Sequence, residues 1–402
     1  MLDNGLVVLH RENPGSLTLA VGCYLRLSAL METADTAGWR NLLQQALLDL
    51  PDAGGRRLEE RVADAGAQVR LQTSPDYVEV LLNGTANQLP DLLKHTREIF
   101  SDAQPEIRCI NNRRRQVARE VANRRELPQT LAQDMAREAL FRGSSCSWPV
   151  VGKASIGVIR PERLQELRRL HHGPNRAVVA TSGPMPAAEA FRQAQAALGD
   201  LLPRPELAEP AATAVPARTG TVFYAPWESD NAVVLNAATF PGPSHREFAA
   251  AAVLGAVIGS GEGSRLFSVL RDQRGLAYDI HTDLAPSRLC GMIQIIVTCE
   301  PNQVSEVFRI MRDEISGLKT RPLTDAEVER AVAYLTGSYL LGHQRNIESA
   351  HYLGLFETLL PGQGAQSDLA AMFTQVTTAQ AQAAAAWLHD RHVWVQVGGR
   401  PL

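Results

Sequence analysis

The sequence predicts an α+β fold that occurs twice along one chain, and three observations lead to that expectation. The chain has 402 residues, more than a single hydrophobic core usually organises, so two domains of about 200 residues are expected. An order of strand, strand, helix, helix, strand, strand, helix, helix can be traced in each half. Between the halves, LLPRPELAEPAATAVPART (201–219) carries Pro203, Pro205, Pro210 and Pro216 with little periodicity, as a linker does. The expected domains are therefore 1–200 and 220–402.

Composition narrows the class of partner. Forty basic against 43 acidic residues leave a formal charge of −3, which gives no basic face for nucleic acid or anionic lipid. The expected partner is therefore a protein or a small molecule. Cys23, Cys109, Cys146, Cys290 and Cys299 are far apart without a CxxC, so they read as isolated thiols rather than a zinc ribbon or disulfide framework. No apolar run approaches about 18 residues and no signal peptide is visible. A cytoplasmic address is expected, or a periplasmic one if the true start lies upstream.

In the first half, NGLVVLHREN and SLTLAVGCYLRLS read as two strands around Pro14 and Gly15. A helix is expected from about Asp35 and Thr36, with Leu42, Leu43, Ala46 and Leu47 at helical spacing and Pro51 beyond its end. RRLEERVADAG reads as a short helix stopped at Gly66, followed by two strands around Ser74, Pro75 and Asp76. Helices follow at about 88–100 and 105–142. The arginines of the second (Arg113, Arg114, Arg115, Arg124, Arg125) lack interleaved aromatics and are offset by Glu120 and Glu126, so a solvated face is expected. His171 and His172 read as cap or surface residues rather than metal ligands.

In the second half, TVFYA and DNAVVLNAATF read as strands, followed by a helix from Arg246 and a second helical segment at 259–274. LAYDIHTDLA and GMIQIIVTCE continue as strands. Helices are expected near 301–318, from Thr324, near 347–361 and near 378–389, with HVWVQVGG as the last strand. GAVIGSGEG lacks the Lys-Ser/Thr of a phosphate cradle and follows a helix. His343, Glu348 and His351 are spaced by five and three, which does not stack three ligands on one helix face, so a polar helix surface is the better account.

Three stretches carry a family resemblance: the opening NGL, the loop WPVVG (148–152) and GSGEGSRLFSVLRDQRGLAY (259–278). They resemble the pitrilysin/insulinase-type metallopeptidases, the inverzincin group that includes the mitochondrial processing peptidases. The resemblance spans nearly the whole chain. It implies two similar domains, each an antiparallel sheet flanked by helices, with residues 3–28 as an opening hairpin. It also implies that the strand bearing Val69, Leu71 and Thr73 is an edge able to pair with extended peptide.

Active members of that family carry His-x-x-Glu-His on the first helix, two zinc ligands flanking a general base. Alignment on Gly38 puts Asn41, Gln44 and Gln45 on those three positions. Amide oxygens bind zinc poorly beside imidazole, and Gln44 cannot take a proton from water. The third ligand position falls on Arg119, or on Glu120 after a one-residue slip. Arg271 and Tyr278 match the family's substrate-gripping pair, a forked permanent cation and a phenolic donor suited to an oxyanion.

The resemblance therefore implies a non-catalytic subunit of a heterodimeric zinc peptidase. Zinc is expected only in a partner chain, and this chain contributes Arg271, Tyr278 and half of a chamber for peptide substrates. Self-association is the other partnering expected. The alternative is a structural or peptide-binding scaffold without a proteolytic role, like the core subunits of respiratory complexes. A hydrolase with its own site finds no GxSxG and no Cys/His constellation in the sequence.

Overall fold

A computed structural model describes residues 1–205, 219–240, 244–364 and 368–402. Most of the expected linker, residues 206–218, lies outside the described residues. In chain order the elements are β1 (Val7–Glu12), β2 (Thr18–Leu25), α1 (Trp39–Leu47), α2 (Leu58–Asp64), β3 (Gln68–Thr73), β4 (Val78–Thr85), α3 (Leu89–Phe100), α4 (Ile107–Asn123), α5 (Pro128–Leu140), α6 (Pro161–His171), β5 (Ala177–Gly183) and α7 (Ala187–Leu198). They continue with β6 (Val222–Ala225), β7 (Ala232–Thr239), α8 (His245–Gly259), β8 (Ala277–Ala285), β9 (Met292–Cys299), α9 (Val304–Gly317), α10 (Asp325–His343), α11 (Asn346–Leu359), α12 (Leu369–Thr374), α13 (Thr378–Ala384), α14 (Trp387–Asp390) and β10 (His392–Val397).

The strands form two five-stranded sheets of the same topology, β1-β5-β2-β4-β3 and β6-β10-β7-β9-β8, so the duplication is a property of the fold. Each sheet has one parallel pair, β1 with β5 and β6 with β10, and is otherwise antiparallel. The expected opening hairpin does not form. β5 lies between β1 and β2 and pairs with both, which gives the apolar β2 a hydrogen-bonding neighbour on each side.

The compact units are not the contiguous halves expected. One comprises residues 1–121, 150–205 and 342–364; the other comprises 122–149, 219–341 and 368–402. The exchanged pieces are helices, and a local cause is visible for one of them. The helix expected over 105–142 breaks at Arg124–Glu126, and Pro128 starts α5 afresh, because proline lacks the N–H that would continue α4. α5 then belongs to the second unit and α11 to the first.

In the first unit, alternate residues of β2 and β4 serve two faces, as the strand period requires. Leu19, Val21, Leu25, Val78, Val80 and Leu82 join the core built with α1 and α3, while Ala20, Tyr24 and Leu81 face α11. Gly354 lets α11 sit close to the sheet: a Cβ there would stand 1.9 Å from the Tyr24 ring. The polar helix surface expected for this segment is therefore buried. His351 Nδ1 meets the carboxylate of buried Glu79 at 2.9 Å, and Tyr24 donates its hydroxyl proton to the same carboxylate at 2.6 Å. Glu348 pairs with Arg70 and Arg345; the side chain of His343 is outside the described set.

His171 and His172 are likewise buried rather than surface residues. The imidazole of His171 stacks on Trp39 at 5.3 Å, and His172, the C-cap of α6, faces the Ile99 carbonyl. The arginines of α4 are engaged more than a solvated face implies. Arg113 reaches Asp49 and Glu59, Arg114 donates to the Ile159 carbonyl, and Arg124, in the turn after α4, pairs with Asp134.

In the second unit, Val234, Ile293, Ile295 and Val297 meet α8 and α9 in the core. α5 is held by Gln129 to His281, by Gln133 to Asp283 and by Arg137 to the Cys290 sulfur. The Cys146 thiol hydrogen-bonds that of Cys290, so these two are a buried pair rather than isolated thiols. No helix among the described residues is long and apolar enough to cross a membrane.

Candidate functional site

The first candidate locus lies where α1 meets β3. α1 begins at Trp39 rather than near Asp35, because Gly38 takes φ +94 and its backbone runs against Gly152, where a Cβ would stand 2.6 Å from the Gly152 Cα. Only glycine combines that dihedral with that approach. The pair fixes the start of α1 and the direction in which Asn41 and Gln44 project.

Both amides are buried. Gln44 donates from Nε2 to the Gln72 carbonyl at 2.9 Å and to the Glu79 carbonyl opposite it across β3 and β4, while its Oε1 accepts from Thr73 Oγ1 at 2.6 Å. Asn41 donates to the Val151 carbonyl at 3.3 Å and has Thr73 Oγ1 3.4 Å from its Oδ1. Gln45 is half-buried, and Arg119 and Glu120 are exposed on α4. The structure thus joins Asn41 and Gln44 through Thr73, and no hydrogen bond or ion pair links Gln45, Arg119 or Glu120 to them among the described residues.

This donor set does not fit zinc. The two buried amide oxygens face a hydroxyl, and their nitrogens are committed to backbone carbonyls. Neither amide supplies the anionic or imidazole lone pair that zinc selects. Among the described residues, no group of three or more His, Cys, Asp or Glu side chains is placed to hold a metal ion. The amides cross-tie α1 to the sheet, and no hydrolytic step is assigned to them.

The second locus is the stretch after α8. Gly259 and Gly255 pack on Thr282, and the expected helix contains a π turn, Phe267–Asp272. The turn closes at Gly275 (φ +62), whose N–H returns to the Arg271 carbonyl at 3.0 Å, while that of Leu276 returns to Leu270 at 2.7 Å. Such single π turns put an extra residue on a helix face and recur at functional sites. Arg271 is exposed, its guanidinium 5.0 Å from the centroid of the Phe267 ring.

Tyr278 occupies the bulge at which the β8–β9 register shifts between Ala277 and Asp279. The extra residue turns its side chain outward; Tyr278 is 57% exposed, and its hydroxyl donates to Glu300 at 2.9 Å. That hydrogen bond, ahead of any other influence, raises the phenol above its usual pKa. No hydrogen bond or ring contact joins Arg271 to Tyr278 among the described residues, so the spacing delivers two exposed side chains without direct contact. Sequence reasoning missed Glu300. Its only signal was an acid directly after β9.

Arg265 of the same stretch has a different part. It makes a bidentate pair with Glu327, Nε to Oε1 at 2.6 Å and Nη2 to Oε2 at 2.9 Å, and donates to the carbonyls of Arg321 and Pro322. The pair anchors the start of the π turn to α10, setting where Arg271 projects.

With this geometry described, comparison with known proteins is informative. Residues 159–335 match the family model described as Peptidase M16 inactive domain. An uncharacterized zinc protease of Streptomyces coelicolor is 25% identical over 398 residues, covering 96% of this chain and 85% of its own. Among solved structures, a peptidase M16 inactive domain from Pseudomonas fluorescens superposes with a TM-score of 0.87 at 18% identity, covering 100% of this chain and 97% of its own. A protease from Helicobacter pylori gives 0.88 at 17% identity, with 99% and 98% covered. At those identities the structures establish the fold alone. The chain is thus similar to M16 peptidases, the pitrilysin/insulinase-type proteins that its motifs resemble, and residues 159–335 are the part that matches the family model.

Proposed function

We propose that this chain is the non-catalytic subunit of a heterodimeric zinc peptidase. In this reading a zinc-bearing family member supplies the metal and the general base, and this chain supplies Arg271, Tyr278 and half of the peptide chamber. One observation carries the reading: the zinc positions hold buried amides tied to carbonyls and to Thr73, while Arg271 and Tyr278 stay exposed on a π turn and a bulge. A forked cation at that position would grip peptide carbonyls or carboxylates, and a protonated phenol would donate to a developing oxyanion. Zinc is assigned to the partner, since the donor set here does not suit it.

The hydrogen bond from Tyr278 to Glu300 favours a second reading, a peptide-binding or structural scaffold in which the phenol simply secures the end of β9. The test separates the two. The purified chain is assayed for zinc and peptidase activity alone, then mixed with a family member bearing intact His-x-x-Glu-His. Under the subunit reading the chain alone is inert and the mixture hydrolyses peptide. Arg271→Ala and Tyr278→Phe then each lower kcat/KM of the mixture by about tenfold or more. Unchanged activity in both variants would leave the scaffold; zinc bound stoichiometrically by the chain alone, with hydrolysis, would overturn both.

A further inference from the structure

Two cavities adjoin on the second unit, of about 280 and 490 Å³, and share Gly263, Glu327 and Arg330 in their walls. One side is the turn Gly261–Ser264 and the other is α10. Gly261 brings these elements close. Gly261 takes φ +84, and a Cβ there would stand 3.0 Å from the Tyr334 ring; a Cβ on Gly263 would stand 3.8 Å from Arg330 Nε. The smaller cavity is apolar, bounded by Ala256, Val257, Ala331 and the half-exposed Tyr334. The larger is polar, with Ser264, Ser268 and Thr324 in its walls.

The charges at this groove do not cancel. Glu327 is taken up by Arg265 and Glu314 by Arg321. Glu262, on the intervening turn, lines neither cavity. Arg330 is left between the cavities with no hydrogen bond, ion pair or ring contact among the described residues. Ser264, in the wall of the larger cavity, is 1% exposed and its Oγ is closed off from the groove. An unpaired guanidinium beside an apolar slot defines a ligand with an anionic group next to an apolar one. The polar second cavity suits a peptide backbone better than a bare alkyl chain.

We propose that this groove binds the C-terminal end of a peptide, with the carboxylate at Arg330 and the last apolar side chain against Tyr334. The site would hold a peptide by its end, on the face of the π turn where Ser268 and Val269 line the larger cavity. The proposal deepens the peptide-handling reading above, and its test needs neither zinc nor a partner chain.

The probe is an N-acetylated pentapeptide ending in leucine, titrated into the full chain by calorimetry as the free acid and as the C-terminal amide. The free acid is expected to bind about tenfold or more tightly than the amide, the worth of one charge-assisted contact. Arg330→Gln removes that difference, and Tyr334→Ala weakens acid and amide alike. Both side chains are exposed, so circular dichroism melts are expected to match the parent chain and certify folding. Equal binding of acid and amide, no binding of either, or indifference to Arg330→Gln overturns the proposal. So does hexanoate binding as tightly as the peptide acid, which would mark an alkyl carboxylate site. Any of these failures leaves the Arg271 and Tyr278 result in the mixed enzyme untouched, so the two readings fail separately.

Discussion

Arg265 and Glu327 show what one side-chain pair does for the second unit. The Arg265 fork meets both oxygens of the carboxylate, and the Thr324 N–H and hydroxyl donate to Oε2 at 2.8 and 2.9 Å. The hydrogen bonds from Arg265, and after them those from Thr324, hold Glu327 at about 2 against an ordinary 4.5, despite the opposing effect of burial. A carboxylate depressed in the folded state stabilises fully above its unfolded pKa, and that contribution is lost as pH falls from about 4.5 toward 2. At neutral pH it is worth at most about 3 kcal/mol, at about 1.4 kcal/mol per unit. Glu327→Gln is therefore expected to melt well below the parent chain at pH 7 and to approach it near pH 3. A gap of constant size across that range would show that packing, and not charge, is what the substitution removes. Arg265→Lys should recover little, because an ammonium cannot reproduce the fork.

At the scale of elements, α11 is the helix whose seat is most tightly defined. Gly354 opposes the Tyr24 ring so closely that an added methyl group has no room, and Tyr24 is itself fixed by Glu79 and by the His351 carbonyl. Gly354→Ala is expected to cost about 3 kcal/mol or more, since overpacking forces backbone or ring to shift. Substituting alanine at Gly337, in α10, where a Cβ would meet nothing within 4 Å, is expected to be neutral or stabilising because helix propensity improves. Thermal melts of the two variants in parallel check the contrast; equal effects would mean that the close approach is not a constraint. The same helix shows how far the sequence could be read. Its existence, like that of nearly every strand, followed from periodicity, while Asn41 and Gln44 were singled out only through the family resemblance aligned on Gly38. Its destination did not. Asn346–Leu359 is buried on nearly every side, so its pattern names no face, and pairing a helix with a sheet whose nearest strand, β5, ends at Gly183 leaves no local signature. The split of 105–142 was announced by Pro128, but the π turn and the Tyr278 bulge arise from packing of the glycine turn and β8, which no spacing rule reports. Cys146 and Cys290 met for the same long-range reason.

Across the whole molecule, burial biases titration in one direction at each end of the pH scale. Burial lowers His172 to about 3, helped by Arg168, and His171 to about 4, helped by Arg176 and Arg163. It also pushes His10, His389 and His392 down. These imidazoles are held neutral in the fold while the unfolded chain protonates them near 6.5. Unfolding therefore takes up protons between about 6.5 and the folded values, and stability falls with pH at up to about 1.4 kcal/mol per unit for each fully shifted group. At the other end, burial raises Cys23 and lifts Cys299 to about 12, while the hydrogen bond with Cys146, and after it burial, raises Cys290. Tyr24 is raised by burial and then by Glu79. These groups stay protonated in the fold while the unfolded chain loses their protons above about 9, so stability declines again as pH rises. The expected profile is a plateau between roughly pH 7 and 9 with an acid limb dominated by histidine. Calorimetric unfolding at pH 5.5, repeated in buffers of different ionisation enthalpy, should give net proton uptake, and at pH 10 net release. Proton release at pH 5.5 would mean that the imidazoles are charged in the fold, and with it would go the placement of His171 and His172 in the interior.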